Sequence, residues 1–72
     1  MNKETILLNI EEKLKNKLQS NSNDLNLKLI AKIFETENWY LNIELDTFVN
    51  ILLDLDFTKE DSLKLYIELI SQ

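Results

Sequence analysis

The chain contains few of the residue types that usually perform chemistry. Its 72 residues include no His, Cys, Gly, Pro or Arg. His and Cys are the side chains most readily used as acids, bases or nucleophiles near neutral pH, and glycine loops let backbone amides approach phosphate. Carboxylates, Ser, Thr, Lys and Tyr remain, and they would need a dry pocket to act in catalysis. Because so short a chain has little interior for such a pocket, we expect a protein that is not an enzyme and uses no cofactor.

One segment places oxygen-bearing side chains at alternate positions, as a calcium-binding loop does. It runs Asp54-Leu55-Asp56-Phe57-Thr58-Lys59-Glu60. A calcium loop of this kind needs Gly at its sixth position and a bidentate Glu at its twelfth. Lys59 and Leu65 occupy those positions, so we predict no metal site and interpret the segment as a helix end followed by an N-cap.

The tripeptide Asp61-Ser62-Leu63 resembles the Asp-Ser-Leu motif of acyl carrier proteins. The resemblance implies that Ser62 carries a phosphopantetheine arm and that the helix after it is recognised by partner proteins. In this chain, however, no Gly precedes Asp61, and only nine residues follow Leu63, whereas carrier proteins continue through further helices. The simpler interpretation is that Ser62 is an exposed residue in the first turn of a helix.

Three aromatic residues are candidates for contact with another molecule. Trp39 and Tyr40 are adjacent between predicted helices, and Tyr66 lies in the last predicted helix. Aromatic side chains often anchor interfaces because they bury a large area at modest entropy cost. They are equally common in cores, and burial is the favoured interpretation for Trp39. For Tyr40 both interpretations stay open, because its hydroxyl needs water or a polar partner.

Charge is distributed unevenly along the chain. The net charge of −5 divides into +2 for residues 1–32 and −7 for residues 33–72. Because phosphates dominate nucleic-acid affinity and no Arg is present to read guanine, we expect no direct binding of nucleic acid. An acidic surface can instead steer a basic protein partner, including one that itself binds nucleic acid; the other interpretation is a solvated surface that only aids solubility. The carboxylates proposed for this contact are Glu44, Asp46, Asp54, Asp56, Glu60 and Asp61.

The elements that hold these side chains are predicted to be helices. Ile6, Ile10 and Leu14 recur at every fourth position, which is typical of an amphipathic helix, and Asn2 can cap its start. The run of residues 19–23 interrupts this pattern. Its Asn residues are suited to the left-handed conformation that Gly would usually supply.

A second helix is predicted to start at Asp24. The residues on its apolar face are Leu29, Ile30, Ile33 and Phe34. Leu25 and Leu27 alternate with Leu29 as they would in a strand, so a short hairpin of strands within residues 25–45 is the alternative. Because Asn and Asp are poor strand residues and no Gly assists the turn, helix is the favoured interpretation.

The remainder of the chain is predicted to form a helical hairpin. Asn42 is the expected cap of a helix that ends near Asp54, and Thr58-Lys59-Glu60-Asp61 is a capping-box variant that starts the next helix. That last helix has a wide apolar arc, typical of a central core helix or of an association surface. The arc consists of Leu63, Leu65, Tyr66, Ile67, Leu69 and Ile70. We therefore predict an all-α fold, a small bundle of three to four helices ending in a helical hairpin, with residues 1–72 as a single helical domain.

Composition and size narrow the expected function. No stretch approaches the roughly 20 apolar residues that span a bilayer, and no signal-peptide pattern opens the sequence, so we expect a cytoplasmic protein. Abundant Asn, Ile and Lys without Gly, Arg or Pro is what AT-rich codons give, which suggests a low-GC bacterium, its phage or a plasmid.

A domain this small gains about 3–5 kcal/mol from one core and often needs a partner for stability. The predicted function is a non-catalytic protein–protein interaction module, a small acidic regulator or inhibitor in the style of an antirepressor, a CRISPR inhibitor or an antitoxin. A homodimer or structural assembly subunit that buries the apolar arc is the alternative.

Overall fold

The computed structural model describes residues 2–71, which form four α-helices joined by short connections. The helices are α1 (Lys3–Ser20), α2 (Leu25–Phe34), α3 (Leu45–Asp54) and α4 (Lys59–Ile70). A 3₁₀ turn (Trp39–Leu41) lies between α2 and α3. The predicted all-α bundle ending in a helical hairpin is confirmed. The alternative hairpin of strands is wrong, because residues 25–34 are helical and residues 2–71 contain no strand.

Three helices start where the sequence predicts them. The Asn2 side chain accepts a hydrogen bond from a backbone N–H in the first turn of α1 at 2.8 Å. Asp24 does the same for α2 at 3.1 Å, and the Thr58 hydroxyl oxygen does so for α4 at 3.0 Å. Each bond satisfies an N–H that the helix itself leaves free, which typically contributes about 1 kcal/mol.

The start of α3 differs from the prediction. Asn42, the predicted cap, instead closes the 3₁₀ turn, because its backbone N–H donates to the Trp39 carbonyl oxygen at 3.0 Å. The residue at the N-cap position is Glu44, whose side chain makes no capping hydrogen bond. The helix therefore begins after a turn that brings Trp39 and Tyr40 into the core, a tertiary preference that the local cap pattern does not contain.

Within residues 2–71, two polar residues take the left-handed backbone conformation. They are Asn38 (φ 57°) and Asp56 (φ 71°). Neither lies within residues 19–23, so the prediction that Asn residues there take the left-handed conformation is wrong. After α1, Asn21 has a φ of −136°. Its backbone N–H and its side-chain amide donate to the Lys17 carbonyl oxygen at 2.9 and 3.1 Å. The end of α1 is thus satisfied by an amide side chain rather than by a left-handed residue.

Asp56 ends α3 in a Schellman motif. The Phe57 N–H donates to the Leu52 carbonyl oxygen and the Asp56 N–H donates to the Leu53 carbonyl oxygen, each at 3.0 Å. These two bonds satisfy carbonyl groups that the helix leaves free. They also reverse the chain within residues 55–58, so α4 runs back antiparallel to α3.

The core is built from all four helices and from the 3₁₀ turn. Full burial of one large aliphatic side chain contributes about 1.5–3 kcal/mol, so these residues supply most of the favourable free energy of folding. The every-fourth pattern of α1 is confirmed by the burial of Ile6, Ile10 and Leu14. The buried residues of α3 and α4 are Phe48, Val49, Ile51, Leu52, Ser62 and Leu69.

The buried face of α2 is partly different from the predicted one. Leu29 is exposed, whereas Leu27 and Ile30 are buried. Ile33 and Phe34 are half-buried against the core, as predicted. The side of α2 that packs on α1 depends on the shape of α1 as well as on the spacing of leucines along α2.

The helices pack in a simple order around this core. α3 packs chiefly on α4, and α1 packs on both α2 and α4. Between α3 and α4 the rings of Phe48 and Tyr66 meet edge to face, with centroids 5.1 Å apart. None of the helices in residues 2–71 is both long and apolar enough to cross a membrane.

Candidate functional site

The aromatic candidates serve the core rather than the surface. Trp39 and Tyr40 are only 3 % and 1 % exposed. The Trp39 ring stacks on Phe34 with centroids 4.3 Å apart and lies 5.7 Å from the ring of Phe48. Tyr66 is half-buried against the same cluster. The proposal of Trp39 and Tyr40 as interface anchors therefore does not fit this conformation, because the 3₁₀ turn directs both side chains inward.

Two polar atoms of this aromatic cluster are buried without a hydrogen bond. Trp39 Nε1 and Tyr40 Oη have no partner within residues 2–71. Lys3 Nζ lies 5.4 Å from the centre of the Tyr40 ring, which is a cation–π contact and not a hydrogen bond to the hydroxyl. A buried polar group without a partner costs roughly 1–3 kcal/mol, so the two atoms offset part of what the rings contribute.

Asp54 and Asp56, proposed for a basic partner, are engaged within the chain. Lys17 Nζ donates to the Asp54 carbonyl oxygen at 3.0 Å and to Asp56 Oδ1 at 3.1 Å. The Asn26 amide donates to Asp54 Oδ2 at 2.8 Å. We call these four residues, Lys17, Asn26, Asp54 and Asp56, the Lys17 cluster. It ties the end of α3 to α1 and α2, and the sequence alone did not reveal it because the partners lie 28 to 39 residues apart.

Glu60 and Asp61 lie exposed in the first turn of α4. Glu60 forms an ion pair with Lys64 one turn later, at 3.3 Å. A solvent-exposed pair of this kind contributes no more than about 0.5 kcal/mol. The Asp61 carboxylate forms no ion pair within residues 2–71, and both carboxylates complement the positive end of the helix dipole. Glu60 therefore has a local partner, whereas Asp61 is available for contact with another molecule.

Ser62 is buried and not exposed as predicted. Its hydroxyl donates to the Thr58 carbonyl oxygen at 2.7 Å. Ser62 and Leu69, which are seven residues apart, lie on the same inward side of α4. The prediction had placed the Ser62 side chain in water instead. Attachment of a phosphopantetheine arm needs this hydroxyl at the surface as a nucleophile, so the conformation argues against the carrier-protein interpretation.

Glu44 and Asp46 lie exposed at the start of α3, and neither forms an ion pair within residues 2–71. Their carboxylates are placed where a helix N-terminus favours negative charge. Asp54 and Asp56 lie at the other end of α3, about 12 Å further along the helix at 1.5 Å per residue. The structure therefore does not bring the six proposed carboxylates into one acidic patch.

A groove lined by both apolar and polar side chains lies between α3 and the first half of α4. Its volume is about 310 Å³. The wide apolar arc of α4 was recognisable in the sequence, but the contribution of α3 was not, because Leu45 and Leu53 flank its buried face without belonging to it. The groove is lined by Leu45, Asp46, Val49, Asn50, Leu53, Lys59 and Leu63.

Helical spacing continues this apolar surface along α4. Ile67 and Ile70 follow Leu63 at intervals of four and three residues and so lie on the same side of the helix. Leu53 is 43 % exposed and Ile67 is 59 % exposed. We call the following six residues the α3–α4 face: Leu45, Val49, Leu53, Leu63, Ile67 and Ile70.

A second pair of exposed apolar residues lies elsewhere. Leu25 and Leu29 are one turn apart on the outer side of α2, beside Lys28 and Lys32. Both belong to a single helix, so they lack the second row of apolar side chains that the α3–α4 face has. They provide a matched comparison for that face in experiments.

Residues 2–71 contain no group of three or more His, Cys, Asp or Glu residues that could hold a metal ion. Comparison of the chain with protein-family models, with curated proteins and with solved structures finds no match. The candidate site is therefore described by its own geometry. It offers exposed apolar side chains on α3 and α4, next to a groove that Asp46, Asn50 and Lys59 also line.

Proposed function

We propose that the protein is a cytoplasmic, non-catalytic protein–protein interaction module that binds through the α3–α4 face. The observation that supports this best is the exposure of Leu53 and Ile67 on the outer side of a hairpin whose other side forms the core. Removal of apolar surface from water stabilises a complex by about 25 cal/mol per Å², before the costs of association. Contiguous exposed apolar surface is typical of interaction sites on small proteins.

In this proposal the protein acts by occupying a site on another protein, as a small regulator or inhibitor does. The absence of His, Cys and Gly supports a binding role over a catalytic one. The composition agrees with an origin in a phage or another mobile element of a low-GC bacterium. Antirepressors, CRISPR inhibitors and antitoxins are proteins that work in this style.

Site-specific photo-crosslinking tests the proposal. A photoreactive amino acid replaces Leu53 or Ile67 in the full chain, and the matched control carries it at Leu25, which is more exposed but lies on α2. We expect protein adducts from positions 53 and 67 in cells that produce the protein, and few from position 25. Equal adduct formation from all three positions, or none from positions 53 and 67, would contradict the proposal.

The second candidate partner is a protein with a basic surface, which would bind by electrostatic attraction to exposed carboxylates. It is supported by the net charge of −7 in residues 33–72 and by three exposed carboxylates, Glu44, Asp46 and Asp61, without ion pairs in residues 2–71. The double variant Glu44→Lys/Asp46→Lys is expected to weaken binding, and added salt is expected to weaken it further. Glu11→Lys/Glu12→Lys on α1 is the control with the same change of net charge. Binding that is unchanged by added salt and by Glu44→Lys/Asp46→Lys would exclude a basic protein surface as the partner.

The carrier-protein alternative has its own test. We expect no gain of mass when the folded protein is incubated with coenzyme A and a phosphopantetheinyl transferase, because the Ser62 hydroxyl is buried and bonded to Thr58. Intact-protein mass spectrometry measures the result. Addition of one phosphopantetheine group at Ser62 would contradict the burial argument and restore the carrier-protein interpretation.

A further inference from the structure

The α3–α4 face presents its apolar side chains as two rows, one on each helix of the hairpin. Because α3 and α4 are antiparallel, the start of α3 lies beside the end of α4, and the rows run side by side. Successive apolar residues of the α3 row are four positions apart, which is about 6 Å along the helix. The two rows pair at three levels, which are Leu45 with Ile70, Val49 with Ile67, and Leu53 with Leu63.

Two such rows match the shape of a third helix lying along the hairpin. Residues i, i+4 and i+7 of a helix point to one side at intervals of about 6 Å, which is the spacing of the three levels. At 1.5 Å per residue α3 and α4 are about 15 and 18 Å long, so the face accommodates about 10–12 residues of such a helix. An extended peptide fits less well, because residues 2–71 contain no sheet edge to satisfy its backbone hydrogen bonds.

Both ends of the face are acidic, because each helix of the hairpin begins with carboxylates. Glu44 and Asp46 lie exposed at the start of α3, and residues 33–58 contain no lysine to offset them. At the opposite end, Lys59 and Lys64 lie among a larger number of exposed carboxylates, which are Asp54, Asp56, Glu60 and Asp61. The face is therefore apolar along its length and negatively charged at both ends, most strongly at the start of α3.

Resting on the proposed function, we propose that the α3–α4 face binds an amphipathic α-helix of another protein, one with an apolar stripe of about three turns and with Lys or Arg at both ends. The stripe covers the three levels of apolar side chains, and the basic residues meet the carboxylates at each end, chiefly Glu44 and Asp46. A second copy of this chain matches the face less well. Pairing the face with itself brings acidic ends against acidic ends in either orientation, which is unfavourable.

Three labelled synthetic peptides of about 18 residues test this partner chemistry. The first has Leu at i, i+4 and i+7, two Lys at each end, and Ala and Gln elsewhere. The second has Glu in place of the terminal Lys residues, and the third has the composition of the first with its leucines moved off the stripe. Fluorescence anisotropy with the full chain at about 150 mM salt measures binding. We expect a dissociation constant on the order of 100 µM for the first peptide, and binding at least about tenfold weaker for the other two.

Charge reversal at the start of α3 tests the acidic end. Glu44→Lys/Asp46→Lys should weaken binding of the first peptide about tenfold and should strengthen binding of the Glu-ended peptide. Glu11→Lys/Glu12→Lys on α1 makes the same change of net charge away from the face. This control should leave both dissociation constants within about threefold of the wild type.

Polar substitution of exposed apolar residues tests the stripe. Leu53→Asn/Ile67→Asn keeps the net charge and should weaken binding of the first peptide about tenfold, because it removes apolar contact from two levels of the face. Leu25→Asn/Leu29→Asn on α2 is the control, since both leucines are exposed on another helix. It should change the dissociation constant by less than about threefold. Circular dichroism on every sample shows that the variants are folded.

The outcomes distinguish this inference from the proposed function. A first peptide that binds no more tightly than the other two, or that is unaffected by the variants of the face, overturns the basic helix as partner. Self-association of the wild type below about 1 mM that Leu53→Asn/Ile67→Asn abolishes overturns it in favour of a second copy. If photo-crosslinks from positions 53 and 67 nevertheless join the chain to a different protein, the proposed function stands with a partner of other chemistry. If the peptides behave as expected but neither position forms crosslinks in cells, the proposed function fails while the chemistry of the face stands.

Discussion

Tyr40 contributes a ring to the core and a hydroxyl that the core does not satisfy. Removal of that oxygen keeps the ring contacts with Trp39 and ends the cost of a buried polar group. We expect Tyr40→Phe to unfold at the same denaturant concentration as the wild type or higher, with a gain of up to about 1 kcal/mol. Urea unfolding followed by circular dichroism measures the change.

Tyr66→Phe is the matched control for this substitution. Tyr66 is half-buried and its hydroxyl is not among the unpartnered buried atoms, so a change within about 0.5 kcal/mol is expected. A loss of more than 1 kcal/mol in Tyr40→Phe alone would mean that the Tyr40 hydroxyl has a hydrogen-bond partner in solution.

Lys17 links α1 to the end of α3, a structural role that the sequence around Lys17 does not indicate. Its ammonium group serves both a carbonyl oxygen at the end of α3 and the Asp56 carboxylate. Lys17→Met keeps the aliphatic stem and removes both bonds, so we expect stability to fall by about 1–2 kcal/mol. Thermal unfolding measures it, with Lys15→Met, an exposed residue on the same helix, as the control. Equal effects of the two substitutions would show that the Lys17 cluster contributes nothing to stability.

At the scale of elements, the turn before the 3₁₀ segment depends on one left-handed residue. Asn38 has a φ of 57°, which Gly adopts freely and a residue with a Cβ adopts at a cost of roughly 1–2 kcal/mol, less for Asn. We expect Asn38→Gly to leave stability unchanged or slightly higher and Asn38→Ala to lower it by about 1 kcal/mol. Chemical denaturation of the two variants gives the difference.

The neighbouring residue Glu37 provides the control for this turn. Glu37 is exposed and does not have a positive φ, so Glu37→Ala is expected to change stability by less than about 0.5 kcal/mol. If Ala is tolerated at position 38 as well as at 37, the left-handed conformation is not held in solution.

The elements were predictable where their causes are local. The caps of α1, α2 and α4 are bonds between a side chain and a backbone N–H three residues later, so the sequence contains both partners. The start of α3 was not predictable in this way, because burial of Trp39 and Tyr40 decides where the 3₁₀ turn ends. The buried side of α2 depends likewise on α1, which is why Leu29 was assigned to the wrong side.

The candidate site was less predictable than the fold, because it depends on contacts between distant residues. The sequence shows that Asp54 and Asp56 are acidic, but only the fold shows that Lys17 and Asn26 already bind them. The apolar arc of α4 was visible from spacing alone. The groove required knowledge of which side of α3 faces it.

At the scale of the whole molecule, the negative net charge disfavours binding to nucleic acid. With −5 overall and no Arg, we expect no measurable binding of duplex DNA or RNA at about 150 mM salt. Fluorescence anisotropy with a labelled duplex measures this. Replacement of Glu44, Asp46, Glu60 and Asp61 by Lys raises the net charge by eight, from −5 to +3, and is expected to create weak, salt-sensitive binding. Wild-type binding at that salt concentration would contradict the expectation.

The single tryptophan gives the molecule an optical reporter of its own. Trp39 is buried among Phe34, Tyr40 and Phe48, so its fluorescence should lie at short wavelength in the folded chain and shift to longer wavelength on unfolding. None of the rings that contact the indole belongs to the α3–α4 face, so we expect association at this face to leave the emission of Trp39 unchanged. Emission therefore reports folding and not binding, so a variant that loses its partner but keeps emission at short wavelength has kept its structure.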